Sequence, residues 1–340
     1  MTAVLIETAT EEDWLAARRR GITASEIAAL LGVSPYTSPY ALYHQKLGVL
    51  APEADSDVME RGRVLEPYIA DKFAAARPDL MVAGTGRELF RHADRPWQMA
   101  TPDRLLCEDM RLDFDGDRVI EELEPAAVLE CKVDGGSDEW GEPGTDEIPV
   151  HYRAQVLWQC DVISVQRWYV ACLRARDWKL CVYTGEIDAA AGDDLALMRS
   201  EARIFLDRLE AQDAPGVDWH PATSHALRTL YAGTDDTDVV VGRQLAISYR
   251  AAVRRAEQAG RRKEEMTNRL LAAIRDGRRA VEARTGVPVA TRSAYPQKRI
   301  STSMVRDRYP AIAAECEKTS TVIKLLPAKQ KKEKKECRRR

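Results

Sequence analysis

The sequence predicts an α/β or α+β core followed by a basic, helical C-terminal extension. Strand-like and helical segments are intermixed through residues 1–218, a two-residue alternation of apolar and charged residues occupies 127–134, and composition shifts after Trp219. With 340 residues and 45% hydrophobic content, the chain can bury a substantial core, which excludes general disorder.

The elements follow in order. A helix is expected from Glu11 to Arg20, and a second over Glu26–Leu31 with Ser25 as its N-cap and Gly32 as its stop. Ser34-Pro35-Tyr36 and Ser38-Pro39-Tyr40 punctuate the chain, and Pro39 is placed to open a helix that ends at Leu47 before Gly48. From Met59 to Ala75, Leu65, Ile69 and Phe73 recur every four residues, with Pro67 expected to break or kink the helix beside Glu66.

Short strands are expected from Leu80 to Val133, with a Gly84-Thr85-Gly86 turn and an exposed acidic hairpin from Glu108 to Glu124. Over the last of these, Ala127, Leu129, Cys131 and Val133 face one side and Glu130, Lys132 and Asp134 the other, the pattern of a half-buried strand. Pro149 precedes a helix from His151 to Val162, followed by strands at Trp168–Leu173 and Leu180–Tyr183.

The expected division is a core over 1–218, a basic helical extension over 219–328 and a disordered basic tail over 329–340. From Leu245, the residues Tyr249, Ala252, Ala256, Ala259, Met266, Leu270 and Ala273 follow alternating steps of four and three, with only Lys263, between Ala259 and Met266, out of character; a long helix or coiled-coil hairpin is predicted despite Gly260. The overall net charge of −3 conceals a strong asymmetry: residues 1–235 sum to −18 and residues 236–340 to +15. A basic part suited to a polyanion and an acidic part suited to cations are implied.

No apolar run is long enough to span a membrane and no secretory leader is evident, so a cytoplasmic protein is expected. The seven cysteines include no CxxC pair and no iron–sulfur ligand run. They read as reduced, mostly buried thiols with no iron–sulfur cluster.

Glu130 and Lys132, two apart on a strand, project to the same face and set a carboxylate beside an ammonium. Alone, such a triplet is an ordinary surface ion pair. Upstream, Thr101-Pro102-Asp103 ends another strand, and joining Asp103 to Glu130 creates a carboxylate pair that a divalent cation would relieve. The Cys131 carbonyl could add an oxygen, Glu66 could bind directly or through water, and Lys132 could orient or deprotonate an attacking water.

Six motifs now stand in order: Trp14 with Arg18-Arg19-Arg20-Gly21-Ile22-Thr23-Ala24-Ser25-Glu26-Ile27; Gly32-Val33-Ser34-Pro35-Tyr36; Gly62-Arg63-Val64-Leu65-Glu66-Pro67; Thr101-Pro102-Asp103; Leu129-Glu130-Cys131-Lys132; and Pro149-Val150-His151-Tyr152-Arg153-Ala154-Gln155. Together they resemble the lambda exonuclease / YqaJ-like viral recombinase family of PD-(D/E)xK nucleases over residues 10–185. The resemblance implies a restriction-endonuclease-like core with a central mixed sheet flanked by helices. It also implies a Mg²⁺-dependent exonuclease, with Mn²⁺ as a possible substitute, digesting linear double-stranded DNA 5′-to-3′ in phage-type recombination. Asp103, Glu130, the Cys131 carbonyl and Glu66 would hold metal, Lys132 would activate water, and Gln155 and Tyr152 would line the site, Tyr152 on the DNA.

Arg18 and Ser25 would hold a DNA phosphate, a role their chemistry suits. A single-strand annealing protein as partner and a trimeric ring are implied by the same resemblance. Two departures from the compact lambda-type members stand out: the acidic stretch of 26 residues between Asp103 and Glu130 is longer than their short turn, and the basic C-terminal region, which they lack, resembles extensions of other YqaJ-like proteins. The alternatives are an endonuclease or repair nuclease of the same superfamily, and a non-catalytic DNA-binding protein using its basic C-terminal region.

Overall fold

The computed structural model describes residues 3–51, 56–84, 87–115, 118–319, 323 and 325–328, with only the backbone at 109–115 and 118–123. The expected tail over 329–340, Thr85 and Gly86 of the predicted turn, and Gly116 and Asp117 of the expected acidic hairpin lie outside the described residues. By contacts the chain divides into Met1–Ala232 and Gly233–Arg340.

The first unit runs β1 (Ala3–Ile6), α1 (Glu11–Arg19), β2 (Ile22–Thr23), α2 (Ala24–Leu30), α3 (Pro39–Lys46), α4 (Asp57–Ala76), β3 (Met81–Ala83), β4 (Leu89–His92) and β5 (Gln98–Ala100). It continues with β6 (Arg104–Asp115), β7 (Arg118–Asp134), α5 (Val150–Ile163), β8 (Arg167–Arg174), β9 (Lys179–Glu186), α6 (Ala189–Ala211) and α7 (Pro221–Leu230). The central sheet has the order β3-β6-β7-β8-β9 and is mixed: β7 and β8 are parallel, joined through α5, and the other pairs are antiparallel. This is an α/β core with a mixed sheet and helices on its faces.

Over residues 127–131, β7 is buried on both faces, not half-buried as its alternation predicts. Ala127, Leu129 and Cys131 pack with Ile69, Ala70 and Phe73 of α4. Val128 packs in a second core with Val156, Leu157 and Trp158 of α5. Glu130, pointing toward α5, is therefore only 2% exposed. A charged residue in the alternation marks the functional face, which is covered by a helix instead of water.

Two local expectations give way. Helix α4 continues through Pro67; burial of Ile69, Ala70 and Phe73 outweighs the one backbone hydrogen bond that proline forfeits. The N-cap of α2 is Thr23, not Ser25. Thr23 is held extended by parallel pairing of Ile22–Thr23 with Gln98–Met99, and the Glu26 carboxylate accepts from its N–H at 2.9 Å. Ser25 consequently lies inside the first turn.

The long acidic insertion forms a hairpin, with β6 and β7 paired from Arg104–Leu129 to Asp115–Arg118 and register shifts around Cys107. A smaller sheet, in the order β1-β4-β5-β2, carries the N-terminal motif. The chain can turn from α1 into β2 because residue 21 is glycine: the Ile22 N–H donates to the Trp97 carbonyl at 2.7 Å, and a Cβ on Gly21 would meet that oxygen at 2.3 Å. Cys107, Cys131, Cys160, Cys172 and Cys181 are free and buried.

In the second unit, the four-and-three pattern forms one helix, α8 (Arg243–Ile274), with Gly260 inside it. It is followed by the hairpin β10 (Arg279–Val281) and β11 (Pro288–Thr291), then α9 (Thr302–Arg308) and α10 (Pro310–Glu315). Among the described residues, no helix is long and apolar enough to cross a membrane.

Candidate active site

The pairing of Arg104 with Leu129 sets Asp103, the residue before β6, next to Glu130 on β7. The Cys131 N–H donates to Asp103 Oδ2 at 2.7 Å, fixing one carboxylate to the backbone that carries the other. Lys132 Nζ donates to Glu130 Oε1. From α5, Gln155 Nε2 donates to Glu130 Oε1 at 2.6 Å and Gln159 Nε2 to Oε2 at 2.7 Å. Both Glu130 oxygens are thus held by fixed donors, the arrangement a buried carboxylate requires.

Gln159 is a site residue that sequence reasoning misses. Its one signal is spacing: in an apolar helix, two glutamines four apart share one face. It is fully buried, and its Oε1 has no hydrogen-bond partner. Arg104 is a second. It links Glu66 of α4 to the site by donating from Nη1 to Glu66 Oε1 at 2.7 Å and to the main-chain carbonyl of Asp103.

Burial pushes the Asp103 carboxyl well above its ordinary range, and the charges of Glu130 and Glu66 push the same way. For Lys132, burial disfavours the ammonium, but Glu130 and Asp103 outweigh it and hold the pKa above the ordinary lysine value. Lys132 as arranged here is consequently a proton-bearing counter-ion. It lies 4.8 Å from the centroid of the Tyr152 ring, a cation–π contact that fixes its stem.

Among the described residues, no three His, Cys, Asp or Glu side chains form a ready metal cluster; Glu66 is turned to Arg104 instead. The donors nonetheless suit a hard dication, since they are carboxylate oxygens whose mutual repulsion is expressed at Asp103. A Mg²⁺-sized cation would relieve the charge that Lys132 and Arg104 now share.

Arg18 and Ser25 come together at the start of α2. Arg18 Nη2 donates to Ser25 Oγ at 3.1 Å and to Thr23 Oγ1 at 3.3 Å, and its guanidinium lies 4.3 Å from the Trp14 ring centroid. Beneath it, Lys46 Nζ donates to the carbonyls of Arg18 and Gly21 at 2.8 and 2.6 Å and to Glu26 at 2.7 Å. The second and third arginines of the run are exposed, so one of three is built into a pocket. Burial lowers the Arg18 pKa, opposed by Glu26. A desolvated guanidinium beside a serine hydroxyl is a competent phosphate ligand.

Residues 13–165 match the model of the YqaJ-like viral recombinase domain. All six ordered motifs, from Trp14 to Gln155, fall within this stretch. The chain is also 23% identical over 323 residues to the uncharacterized protein YqaJ of Bacillus subtilis (strain 168), covering 91% of each. Among solved structures it resembles the alkaline exonuclease LHK-Exo from Laribacter hongkongensis, at 21% identity and a TM-score of 0.42, covering 59% of this chain and 94% of that one. The complex of LHK-Exo with dAMP is similar at 22% identity and a TM-score of 0.43, with the same coverage.

Proposed function

We propose that the chain is a divalent-metal-dependent DNA exonuclease that digests linear duplex DNA 5′-to-3′ in phage-type recombination. What carries the reading is the cluster of Asp103, Glu130 and Lys132 at the junction of β6 and β7, inside the stretch that matches the YqaJ-like viral recombinase domain. Asp103, Glu130, the Cys131 carbonyl and Glu66, directly or through water, would hold Mg²⁺ or Mn²⁺. Such an ion would supply Lewis acidity to the scissile phosphate and lower the pKa of the attacking water.

The chain's own groups do the rest. Gln155 and Gln159 fix Glu130 against α5, so a ligand there is preorganised. Lys132 orients the water and stabilises charge on the phosphate, while Tyr152 holds Lys132 in line and contacts the DNA. Arg18 and Ser25 bind a phosphate of the same strand. We assign hydrolysis to residues 1–218 and retention on DNA to the basic extension over 219–328. Self-association and delivery of the exposed strand to an annealing protein belong to the same proposal.

The test uses linear duplex labelled at either 5′ or 3′ ends, and closed circular duplex, each with Mg²⁺. The 5′ label should be released as mononucleotide, the circle should survive, and EDTA should stop the reaction. Cutting of the circle would replace the exonuclease reading with an endonuclease. Binding without hydrolysis in either Mg²⁺ or Mn²⁺ would leave a DNA-binding protein.

A further inference from the structure

The motif Gly32-Val33-Ser34-Pro35-Tyr36 has no part in the mechanism above, yet it ends on an aromatic residue at the edge of the site. The Tyr36 hydroxyl lies 3.3 Å from that of Tyr152, and its ring meets His151 edge-on at a centroid distance of 5.7 Å. Tyr152 in turn lies under Lys132, which bonds Glu130. Tyr36 therefore stands two side chains from the candidate catalytic lysine, although it is remote from it in sequence. It is also 61% exposed, so its ring is not spent on packing.

The loop that carries it is firmly tied. Ser34 Oγ accepts from the N–H groups of Tyr36 and Thr37 at 3.1 and 3.2 Å, and Val33 and Ser34 both donate to the Ala28 carbonyl at 3.0 Å. The Ser34 carbonyl lies 3.1 Å from His220 Nε2 at the head of α7, and Ser38 Oγ is 2.7 Å from Thr223 Oγ1 on that helix. An exposed aromatic ring on a restrained backbone, anchored by its hydroxyl beside a phosphate-handling site, is a preorganised surface for a flat ligand.

We propose that Tyr36 is a nucleobase platform, stacking an unpaired base next to the phosphate at Lys132. This deepens the nuclease reading and rests on it. Stacking on an aromatic face is tolerant of base identity, which suits an enzyme that must accept every nucleotide in turn. The hydroxyl contact with Tyr152 sets the platform's position relative to Lys132.

Four proteins test it: wild type, Tyr36→Phe, Tyr36→Leu and Tyr36→Ala, each with its melting temperature measured. Steady-state hydrolysis of linear duplex with a short single-stranded end is paired with anisotropy binding of that DNA in Ca²⁺. Tyr36→Ala and Tyr36→Leu should raise KM and Kd about tenfold, the scale of removing one stacked base, with kcat within about twofold. Tyr36→Phe keeps the ring and loses only the hydroxyl contact with Tyr152, so its loss should be smaller than that of Tyr36→Leu. In wild type, an abasic residue at one of the first few nucleotides should reproduce the loss, and the loss should not add to that of Tyr36→Ala.

Unchanged KM and Kd in Tyr36→Ala would overturn the platform, as would a fall in kcat alone or a Leu variant as good as Phe. Because binding is read without hydrolysis, a wild type that binds tightly but does not cut sinks the nuclease reading while the Kd comparison still judges Tyr36. A wild type that does not bind DNA sinks both.

Discussion

At the scale of single residues, the site keeps charge where the fold alone would not choose it. Asp103 carries a carboxyl raised by burial and by Glu130 and Glu66. An acid whose folded pKa lies above its unfolded one subtracts stability once pH exceeds the folded value, and subtracts nothing below the unfolded value. Asp103→Asn keeps an oxygen for the Cys131 N–H and removes the charge. In EDTA near neutral pH, the variant should be more stable by about 1 kcal/mol, the scale of gain when a functional group is neutralised. Its nuclease activity should fall by at least about 10³-fold. Mg²⁺ should raise the melting temperature of wild type and not of the variant. Thermal melts with and without metal decide this; a less stable Asp103→Asn protein would contradict the charge argument. Lys132→Ala should lose about 10²- to 10⁴-fold in kcat while remaining folded, as judged by circular dichroism.

At the scale of elements, α5 holds the two sheets and the site in one register. Its Asp161 is approached by Arg95 Nη2 at 3.1 Å and by Arg199 Nε at 2.8 Å, with Gln98 completing the ring. Burial pushes the Asp161 carboxyl up, but Arg199, Gln98 and Arg95 outweigh it and hold it below the usual range. Its contribution is therefore fully present above the unfolded value of about 3.9 and is lost as pH falls through the depressed folded value. Asp161→Asn should cost about 2 kcal/mol at neutral pH in urea denaturation, less than a fully buried pair because the arginines keep some water. The gap from wild type should close as pH falls below about 4. A gap independent of pH would mean that the loss is one of packing.

Elements also show what can be read in advance. Glu130 and Lys132 are legible because a strand has a strict period of two, and Asp103 because it stands at the end of a neighbouring strand that can pair beside them. The cap of α2 is not, because Thr23 is extended by pairing with β5, a partner far along the chain. Pro67 misleads for a related reason: local propensity argues for a break, while packing on the sheet keeps α4 whole. Gln159 and Arg104 act through tertiary partners that only the assembled β6–β7–α5 geometry supplies.

At the scale of the whole molecule, the charge asymmetry supports the proposed division of the chain between two tasks. Residues 1–235 sum to −18, and a surface of that sign repels DNA; in the proposed reading, a cation and Arg18 offset this at the site. Residues 236–340 sum to +15, and α8 in that region buries none of its residues, so its arginines can exchange counterions for phosphates. If this region retains the DNA while the core cuts it, deleting residues after Asp235 should weaken duplex binding and flatten its salt dependence. For every phosphate that the shortened protein leaves unneutralised, the slope of log Kd against log salt should fall by about 0.9. Hydrolysis of short substrates at saturating concentration should persist, because the Asp103–Glu130–Lys132 cluster lies wholly in the first unit. Anisotropy between about 50 and 200 mM salt measures the slope for both proteins. An unchanged slope would assign the basic region to a protein partner and leave the acidic core to hold its DNA through the metal and Arg18 alone.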